Sequence, residues 1–439
     1  MLKQILFSMS LLLTLGVFAW SVLKYYKLFK LTKAFPIGDI PKRITMTLKV
    51  VLGQTKILRK PTIGLLHALV FWGFIVILFG SVEMVIDGLF GTERVLGFMG
   101  GFYSLLFGSS DVMALFIALA MLVFLYRRMV IKVKRFDGIE MAHKSHTDAN
   151  IALTIILLLM ISLLGMNTFY VAEKMVSGED FIGVYPVSEF FASFFLNMDY
   201  HSLHILHEIN WWAHILLIFF FANYLPYSKH FHVYMSAPNV FLSRLEPLGK
   251  LYNMESITKE VKLMMDPDAA FADPPAEEEG DIERFGVKDI EDITWKNYMD
   301  SLACTQCGRC TAVCPANQTG KLLSPRKIIM NVRARMEEKG PQMVKNGKDF
   351  DDTRSLLRDY ISEEELWACT TCNACAQECP ININHPSIIV DLRRYLVMEE
   401  SAAPTELNTI FQNIENNGAP WQYSQDDRMN WADDLFINA

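Results

Sequence analysis

The chain carries the run CTQCGRCTAVCP at residues 304–315, and CTTCNACAQECP at residues 369–380 repeats its cysteine spacing. In each run two residues separate the first three cysteines, three residues precede the fourth, and a proline follows it. The two runs hold all 8 cysteines of the 439-residue chain. Even cysteine counts in secreted chains indicate disulfides, but this tight spacing is typical of metal ligands. What these cysteines bind therefore decides the fold of the second half.

The C-x₂-C-x₂-C-x₃-C-P run is typical of bacterial ferredoxins with two [4Fe–4S] clusters. Three cysteines two residues apart reach three corners of one cubane, and the fourth, beyond the tight loop, points at the other cluster. The proline after it turns the chain and removes a backbone donor near sulfur. We therefore predict one cluster on Cys304, Cys307, Cys310 and Cys379, and a second on Cys369, Cys372, Cys375 and Cys314. The alternative, a pair of zinc sites, favours separated C-x₂₋₄-C pairs.

Composition divides the chain into an apolar and a polar half. Hydrophobic residues make up 51% of the chain and crowd into its first 235 positions. The remainder is polar and acidic. A net charge of −7, without a basic stripe near the cysteines, argues against a nucleic-acid partner.

Five apolar segments are long enough to cross a bilayer, which takes about 20 residues each. The predicted spans are Ile5–Leu23, Ile63–Ile86, Val112–Tyr126, Ile151–Phe169 and Ile209–Leu225. The third is the shortest and needs flanking residues to reach across. The first lacks a small-residue cleavage site and is followed at once by lysines, so we interpret it as a retained helix rather than a signal peptide.

Positive residues predict the orientation of these spans. Ten lysines and arginines follow the first span within residues 24–60, and five follow the third within residues 127–135. The other two loops hold only Arg94 and, among acidic residues, Lys174. The N-terminus is therefore predicted outside and the polar half in the cytoplasm.

The predicted fold is an all-α membrane bundle of five transmembrane helices plus a mainly α-helical ferredoxin-type domain with two [4Fe–4S] clusters. Its domains are a cytochrome b-like membrane domain (1–235), an amphipathic stretch with an acidic, proline-rich linker (236–290), the cluster domain (291–400) and a tail (401–439). We interpret Glu83, Asp111 and Glu173, near the outer surface, as loop or helix-end charges rather than proton carriers.

Histidines inside membrane spans are costly and are therefore functional candidates. His67 lies near the cytoplasmic end of the second span, His214 in the outer part of the fifth, and His230 and His232 at its inner end. In one continuous helix, the 18 residues from His214 to His232 would make five turns, about 27 Å, and both rings would face the same way. Two imidazoles from facing helices can hold a b-type haem. Because they lie at a similar depth in the membrane, His67 is predicted to pair with His232 or with His230.

A second, outer haem on His214 has no obvious partner, because Ile77 stands one haem spacing above His67. A pairing of His67 with His214 would leave one haem only. We interpret the remaining histidines as capping or interfacial residues, and His385 as a surface residue.

The membrane half resembles the gamma (cytochrome b) subunit of respiratory nitrate reductase. The resemblance rests on five spans in this orientation and on His214 followed by PYSKHFH at residues 226–232. It implies that His67, His214 and His232 are haem ligands. The fourth ligand of that family falls at Ile77, where this chain departs from it.

The second half resembles the C subunit of heterodisulfide reductase, through the two cysteine runs, Ser324-Pro325-Arg326 and Leu366-Trp367. Joined in this order, the halves are similar to the membrane subunits of heterodisulfide-reductase-like menaquinone oxidoreductases. That resemblance implies a bacterial cytoplasmic membrane, one or two b haems, menaquinone as substrate, and a soluble electron-transfer flavoprotein or dehydrogenase as partner. Larger relatives carry cysteine-rich CCG domains, which this sequence lacks, so a CCG-type iron–sulfur subunit is a further expected partner.

These expectations predict a quinone-linked electron-transfer subunit. The alternative is a haem-free membrane anchor that carries an iron–sulfur relay for a partner enzyme, and a visible spectrum distinguishes the two. An ion-coupled transporter fits poorly, because the spans show no internal repeat and few charges.

Overall fold

The computed structural model describes residues 1–266 and 284–436, which form helices joined by turns and loops, without a β-strand among them. The α-helices are α1 (Leu2–Phe29), α2 (Ile40–Thr47), α3 (Pro61–Phe90), α4 (Gly101–Met129), α5 (His143–Ser177), α6 (Pro186–Ala192), α7 (Tyr200–Tyr224), α8 (His232–Phe241), α9 (Glu255–Met265), α10 (Trp295–Ala303), α11 (Arg309–Ala312), α12 (Pro315–Gln318), α13 (Pro325–Asn346), α14 (Glu363–Trp367), α15 (Ala374–Glu378), α16 (His385–Arg394), α17 (Thr405–Asn417) and α18 (Asn430–Phe436). Within the predicted linker segment (236–290), residues 267–283 lie outside the described residues.

The prediction of five membrane-spanning helices is confirmed. The apolar helices are Leu2–Phe29, Pro61–Phe90, Gly101–Met129, Ser145–Ser177 and Tyr200–Tyr227. Each has at least 28 residues, more than the roughly 20 that a bilayer requires. The third span, predicted as Val112–Tyr126, reaches across with flanking residues as expected, because α4 begins at Gly101 and runs for 29 residues.

Local sequence signals set several helix ends. Pro61 occupies the first turn of α3, where its missing N–H costs nothing. α3 ends at Gly91 and α5 at Gly178, both in the left-handed conformation that glycine adopts freely. Asp199 caps α7 by accepting a hydrogen bond from the Ser202 backbone N–H at 3.0 Å.

The spanning helices pack around α4 and α5. Ile77 of α3, Ala114 and Ile117 of α4, Leu159 of α5 and Ile215 of α7 belong to one buried cluster. Many apolar side chains on the outside of α1, α3 and α4 are exposed. The bundle thus buries a narrow seam and leaves an apolar outer surface, as a membrane domain requires.

Carboxylates near the outer end are buried, which corrects the interpretation of Glu83, Asp111 and Glu173 as loop or helix-end charges. Glu83 accepts hydrogen bonds from the Leu96 backbone N–H at 3.0 Å and from the Tyr103 hydroxyl at 3.1 Å. Glu173 lies 3.0 Å from a ring nitrogen of His204.

Asp111 sits at the first turn of α6. It accepts from the backbone N–H groups of Val187 at 2.8 Å and Ser188 at 2.9 Å, and from the Ser188 hydroxyl at 2.5 Å. It therefore caps a short helix from inside the bundle.

The fifth spanning helix does not continue to His232, contrary to the sequence-based expectation. α7 ends at Tyr224, two short 3₁₀ turns follow at Leu225–Tyr227 and Lys229–Phe231, and His232 begins α8. Pro226 accounts for the break, since proline cannot donate to the preceding helical turn. The spacing of five helical turns between His214 and His232 therefore does not hold.

The second half of the chain, here called the cluster half (residues 284–436), packs on the end of α1. Tyr25 and Leu28 share a buried cluster with Ile293. The Lys33 backbone N–H donates to the Ile293 carbonyl at 2.8 Å, and the Trp295 N–H donates to the Lys33 carbonyl at 3.0 Å. Membrane and cluster halves are therefore in direct contact.

A buried charge network lies inside the cluster half. Arg335, on α13, is fully buried and forms ion pairs with Asp289 and Asp352, each with a closest N···O distance of 2.7 Å. Lys339 also contacts Asp289, at 2.9 Å. Hydrogen bonding to Arg335 lowers the pKa of Asp352 to about 2.

Candidate functional site

The eight cysteines form two groups of four, each around its own cavity. The first cavity, here the membrane-side cavity, is lined by Cys304, Cys307, Cys310 and Cys379. The second, the distal cavity, is lined by Cys314, Cys369, Cys372 and Cys375. The fourth cysteine of each run thus lies with the first three of the other run. This is the grouping that the sequence predicts, while the binding of iron by these residues stays a prediction.

Left-handed residues wind the two cysteine loops in the same way. Gln306 and Gly308 in the first run have φ of 56° and 73°, and Thr371 and Asn373 in the second have φ of 52° and 60°. Glycine and asparagine are the residues that tolerate this conformation best. Each loop then enters a short helix, α11 or α15, which carries the third cysteine.

Gly308 also allows a close approach to the membrane half. A Cβ at this position would lie 2.2 Å from the Arg135 carbonyl oxygen, so a larger residue would push the loop away. The arginine of the Ser-Pro-Arg stretch, Arg326, reaches the same place. It pairs with Glu140 at 2.7 Å and donates to the carbonyls of Arg135 and Asp137, both at 2.9 Å.

Burial favours the neutral form of the thiols. It raises the pKa of Cys304 to about 11 and those of Cys375 and Cys379 to about 12. Because a metal binds the thiolate, loading a cluster must release these protons. Backbone N–H groups of Thr371 and Ile383 lie 3.4 Å from the sulfurs of Cys369 and Cys379, and such hydrogen bonds tune the potential of a bound cluster.

The chemistry of the two cavities fits iron–sulfur clusters. Among the residues that the structure describes, no three His, Cys, Asp or Glu side chains converge closely enough to hold one metal ion. Instead, four sulfurs surround each cavity, as a cubane with four corners requires.

The cavities differ in their distance from solvent. Cys372 of the distal cavity is exposed, whereas Cys304, Cys310 and Cys379 of the membrane-side cavity are buried. Arg393 secures the distal loop by donating to the carbonyl oxygens of Leu366 and of Cys369, the latter at 2.5 Å. The distal cavity is therefore the one that reaches the protein surface.

His385 lines the membrane-side cavity, which corrects its interpretation as a surface residue. It is 1% exposed, and its Nδ1 has no hydrogen-bond partner among residues 1–266 and 284–436, although the Ile383 backbone lies close. Its burial follows from the fold of the second run against the first. The only sequence signal was its position six residues after Cys379.

His67, His230 and His232 come together on the cluster side of the bundle. His67 and His230 both act electrostatically on His232, and the His230 and His232 rings lie 5.7 Å apart. All three lie deep among neighbouring atoms, yet each keeps part of its surface accessible. Side chains that line an internal space have this combination of properties.

Two of these histidines have a ring nitrogen with no hydrogen bond. Across the described part of the chain, neither His67 Nδ1 nor His232 Nδ1 has a hydrogen-bond partner, although the Lys229 backbone lies near His232. His230 Nδ1 instead lies 3.2 Å from the Ser228 hydroxyl. Burial lowers the pKa of His232 to about 3, so this imidazole is neutral, as a haem ligand must be.

His214 lies in a different environment. It is 2% exposed, and its Nδ1 lies 2.9 Å from the Leu159 carbonyl and 3.0 Å from the Ser162 hydroxyl. Ile77, at the place of the expected fourth ligand, is buried in the bundle core. His214 is thus tightly packed between α5 and α7, and its role as a ligand of a second haem stays a prediction.

Arg309 joins the two candidate centres. It lies between Cys307 and Cys310, it is buried, and it donates to the Lys56 carbonyl at 3.0 Å. Its charge also acts on His67. The membrane-side cavity and the histidine group therefore share a neighbour.

The remaining histidines have local roles where the structure describes their side chains. His204 contacts Glu173, and His207 Nδ1 lies 3.0 Å from the Met166 carbonyl. Both agree with an interfacial or capping role. The side chain of His143 lies outside the described residues.

Comparison with known proteins places this geometry in context. Residues 300–383 match the family described as 4Fe-4S dicluster domain. The chain is 31% identical to the probable iron-sulfur-binding oxidoreductase FadF of Bacillus subtilis, over 88% of this chain and 54% of the relative. It is 28% identical to the EtfAB:quinone oxidoreductase of Syntrophomonas wolfei, over 97% of this chain and 59% of the relative.

A third relative matches the cluster half. It is one of the subunits of the ferredoxin/F(420)H(2)-dependent CoB-CoM heterodisulfide reductase of Methanosarcina acetivorans, 36% identical over 24% of this chain and 52% of the relative. The chain spans little more than half the length of each of these relatives. No solved structure matches it. The chain is thus similar to iron–sulfur oxidoreductases and heterodisulfide reductase subunits, and it carries a 4Fe-4S dicluster domain.

Proposed function

We propose that this chain is the membrane-bound electron-transfer subunit of a respiratory oxidoreductase in a bacterial cytoplasmic membrane. It passes electrons between a soluble partner and menaquinone through two [4Fe–4S] clusters and one b-type haem. The N-terminus lies outside and the cluster half lies in the cytoplasm, in agreement with the charge bias of the loops.

The observation that carries the proposal is the order of the sites. The distal cavity reaches the surface at Cys372, the membrane-side cavity is buried, and the histidine group lies next to it beside Arg309. A series from the surface to the membrane is the arrangement that electron transfer between a soluble partner and a lipid-soluble quinone requires.

His67 and His232 are the proposed haem ligands. Their rings lie deep in the protein, act electrostatically on each other and keep part of their surface accessible, which supports this choice. We propose that His230, whose Nδ1 lies 3.2 Å from the Ser228 hydroxyl, lines the site. When bound, the haem would supply one-electron chemistry at the membrane.

The partners are proposed from resemblance. The relative from Syntrophomonas wolfei is named as an EtfAB:quinone oxidoreductase, which supports a soluble electron-transfer flavoprotein or dehydrogenase and a quinone here. A CCG-type iron–sulfur module is the proposed intermediary, by likeness to heterodisulfide-reductase-like oxidoreductases.

Spectroscopy of the purified chain tests the proposal. We expect a pyridine haemochrome spectrum with one b haem per chain, which is lost in His67→Ala and in His232→Ala. The control His204→Ala, which removes an exposed residue bonded to Glu173, keeps the haem. A preparation with full iron–sulfur content and no haem would contradict the proposal and favour the haem-free anchor.

A further inference from the structure

The segment between α1 and α3 contains a helix with three distinct faces. α2 continues without interruption into a π-helical turn at Leu48–Leu52, so residues 40–52 form one rod. At about 3.6 residues per turn, residues three, four or seven apart share a face. Those spacings separate the side chains of this rod into a packed, an apolar and a basic set.

The packed face lies against the protein. Arg43 is buried, and it donates to the carbonyls of Phe241 at 3.0 Å and Ser243 at 2.8 Å, at the end of α8. Val50 is buried on the same face, seven residues further on, and Gln54, just past the end of the rod, is also buried.

The second face is apolar and exposed. Ile40, Ile44, Leu48 and Leu52 follow one another at intervals of four residues, and each is between 47% and 53% exposed. In the described residues nothing covers them. An exposed row of four large aliphatic side chains is costly in water, so this face has an occupant.

The third face is basic. Lys42 and Lys49, seven residues apart, are exposed, and Lys42 also pairs with Asp39. Asp39 is the single acidic residue within residues 24–60, against ten lysines and arginines. A protein groove that accepted the apolar face would also have to neutralise this charge, whereas an anionic lipid leaflet does both.

The position of the rod points to the bilayer. Trp72 of α3 donates its ring N–H to the Leu52 carbonyl at 2.9 Å. Trp72 is 11 residues into α3, about 16 Å along the helix axis from Pro61. The end of the rod therefore lies against the wall of a spanning helix, on which the apolar side chains of Leu65 and Trp72 are also exposed.

We propose that residues 40–52 form an in-plane helix, whose row from Ile40 to Leu52 is buried in the leaflet on the cluster side while Lys42 and Lys49 bind anionic phospholipid headgroups. Such helices sink their apolar face about 5–10 Å into the boundary of the acyl chains. The nearby Lys56 Nζ donates to the Cys379 carbonyl at 3.2 Å, and Arg59 donates to the Gln377 carbonyl at 3.0 Å. The segment therefore holds the membrane-side cavity at a fixed height above the lipid.

Photo-crosslinking of the full chain tests the burial of the apolar row. Benzoylphenylalanine replaces Ile44 or Leu48, and in control variants Lys42 or Lys49, and the proteins are irradiated in native membranes and in phosphatidylcholine–phosphatidylglycerol nanodiscs. We expect lipid adducts at 44 and 48, with yields several-fold lower at 42 and 49. Equal yields at all four positions, or adducts to another protein at 44 and 48, would overturn the proposal.

A second measurement tests the charge. Hydrogen exchange of residues 40–52 is followed in nanodiscs with and without phosphatidylglycerol. Protection should rise with the anionic lipid, fall again at high salt, and fail to rise in the Lys42→Gln/Lys49→Gln double variant. The control double variant Lys345→Gln/Lys348→Gln should behave as the unmodified protein. If the protection of residues 40–52 in the unmodified protein did not depend on the charge of the lipid, headgroup binding would be refuted.

Discussion

At the scale of single residues, the grouping of the fourth cysteines determines which site each variant affects. Cys379 belongs to the second run in sequence, yet it lines the membrane-side cavity with Cys304, Cys307 and Cys310. Cys314 belongs to the first run and lines the distal cavity. Sequence position alone would reverse the expected effect of the two substitutions.

Cys379→Ala should therefore remove the cluster next to the histidines, because a cubane needs a ligand at each corner. We expect the iron content to fall from eight to about four atoms per chain. After reduction with dithionite, the distal cluster should no longer pass electrons rapidly to the haem. Stopped-flow absorbance and iron analysis measure both. The matched variant Cys314→Ala should lose as much iron yet leave the membrane-side cluster paramagnetic. Identical spectra for the two variants would contradict the grouping.

Arg335 provides a stability prediction for the cluster half. Arg335→Gln leaves Asp289 buried with only Lys339 as its cation, and breaking a buried ion pair costs about 3 kcal/mol. The control, Arg354→Gln, removes an exposed pair with Glu338, which should contribute no more than about 1 kcal/mol. Anaerobic urea denaturation at neutral pH, followed by cluster absorbance, compares them. Equal midpoints would show that the network does not stabilise this half.

At the scale of elements, apolar runs located five spans but not their ends. The predicted third span left out the first eleven residues of α4, where Ser109, Ser110 and Asp111 interrupt the apolar pattern. In the structure Asp111 accepts hydrogen bonds from the backbone N–H groups of Val187 and Ser188, in the first turn of α6. These residues follow Asp111 by 76 and 77 positions in the chain. Hydropathy cannot register such a long-range contact.

The candidate sites show the same limit. The cysteine spacing grouped the first three cysteines of each run, because a local loop defines their geometry. The exchange of the fourth cysteines was predicted only because the repeated motif is typical of two-cluster ferredoxins. His385 was misinterpreted because its burial depends on how the second run folds against the first. The relation of His214 to His232 was wrong because one proline, Pro226, ended the helix on which the argument rested.

Contact between the halves gives a prediction at the element scale. Gly308→Ala and Gly320→Ala both place a side chain at positive φ, 73° and 84°, which should cost about 1 kcal/mol each. Only at Gly308 would the new Cβ meet another element, at 2.2 Å from the Arg135 carbonyl, whereas Gly320 has open space. Gly308→Ala should therefore loosen the cluster half from the membrane half. Limited proteolysis and the rate of haem reduction should change in this variant and remain unchanged in Gly320→Ala.

At the scale of the whole molecule, the orientation of the bundle decides in which compartment the proposed soluble partner meets the cluster half. The basic loops after the first and third spans should remain in the cytoplasm together with the cluster half. Alkaline phosphatase fused after Gly178 should be active, and after Asp137 inactive, when the protein is expressed in a bacterial membrane. The opposite pattern would place the clusters outside and exclude a cytoplasmic flavoprotein as partner.

We propose that eight thiolates hold two cubanes in series in the cluster half. Electron paramagnetic resonance of anaerobically purified, dithionite-reduced protein, with metal analysis of the same sample, distinguishes iron–sulfur clusters from zinc. We expect about eight iron atoms per chain and a spectrum broadened by coupling between two reduced [4Fe–4S] clusters. Zinc in place of iron, or the signal of one isolated cluster at full iron loading, would contradict it.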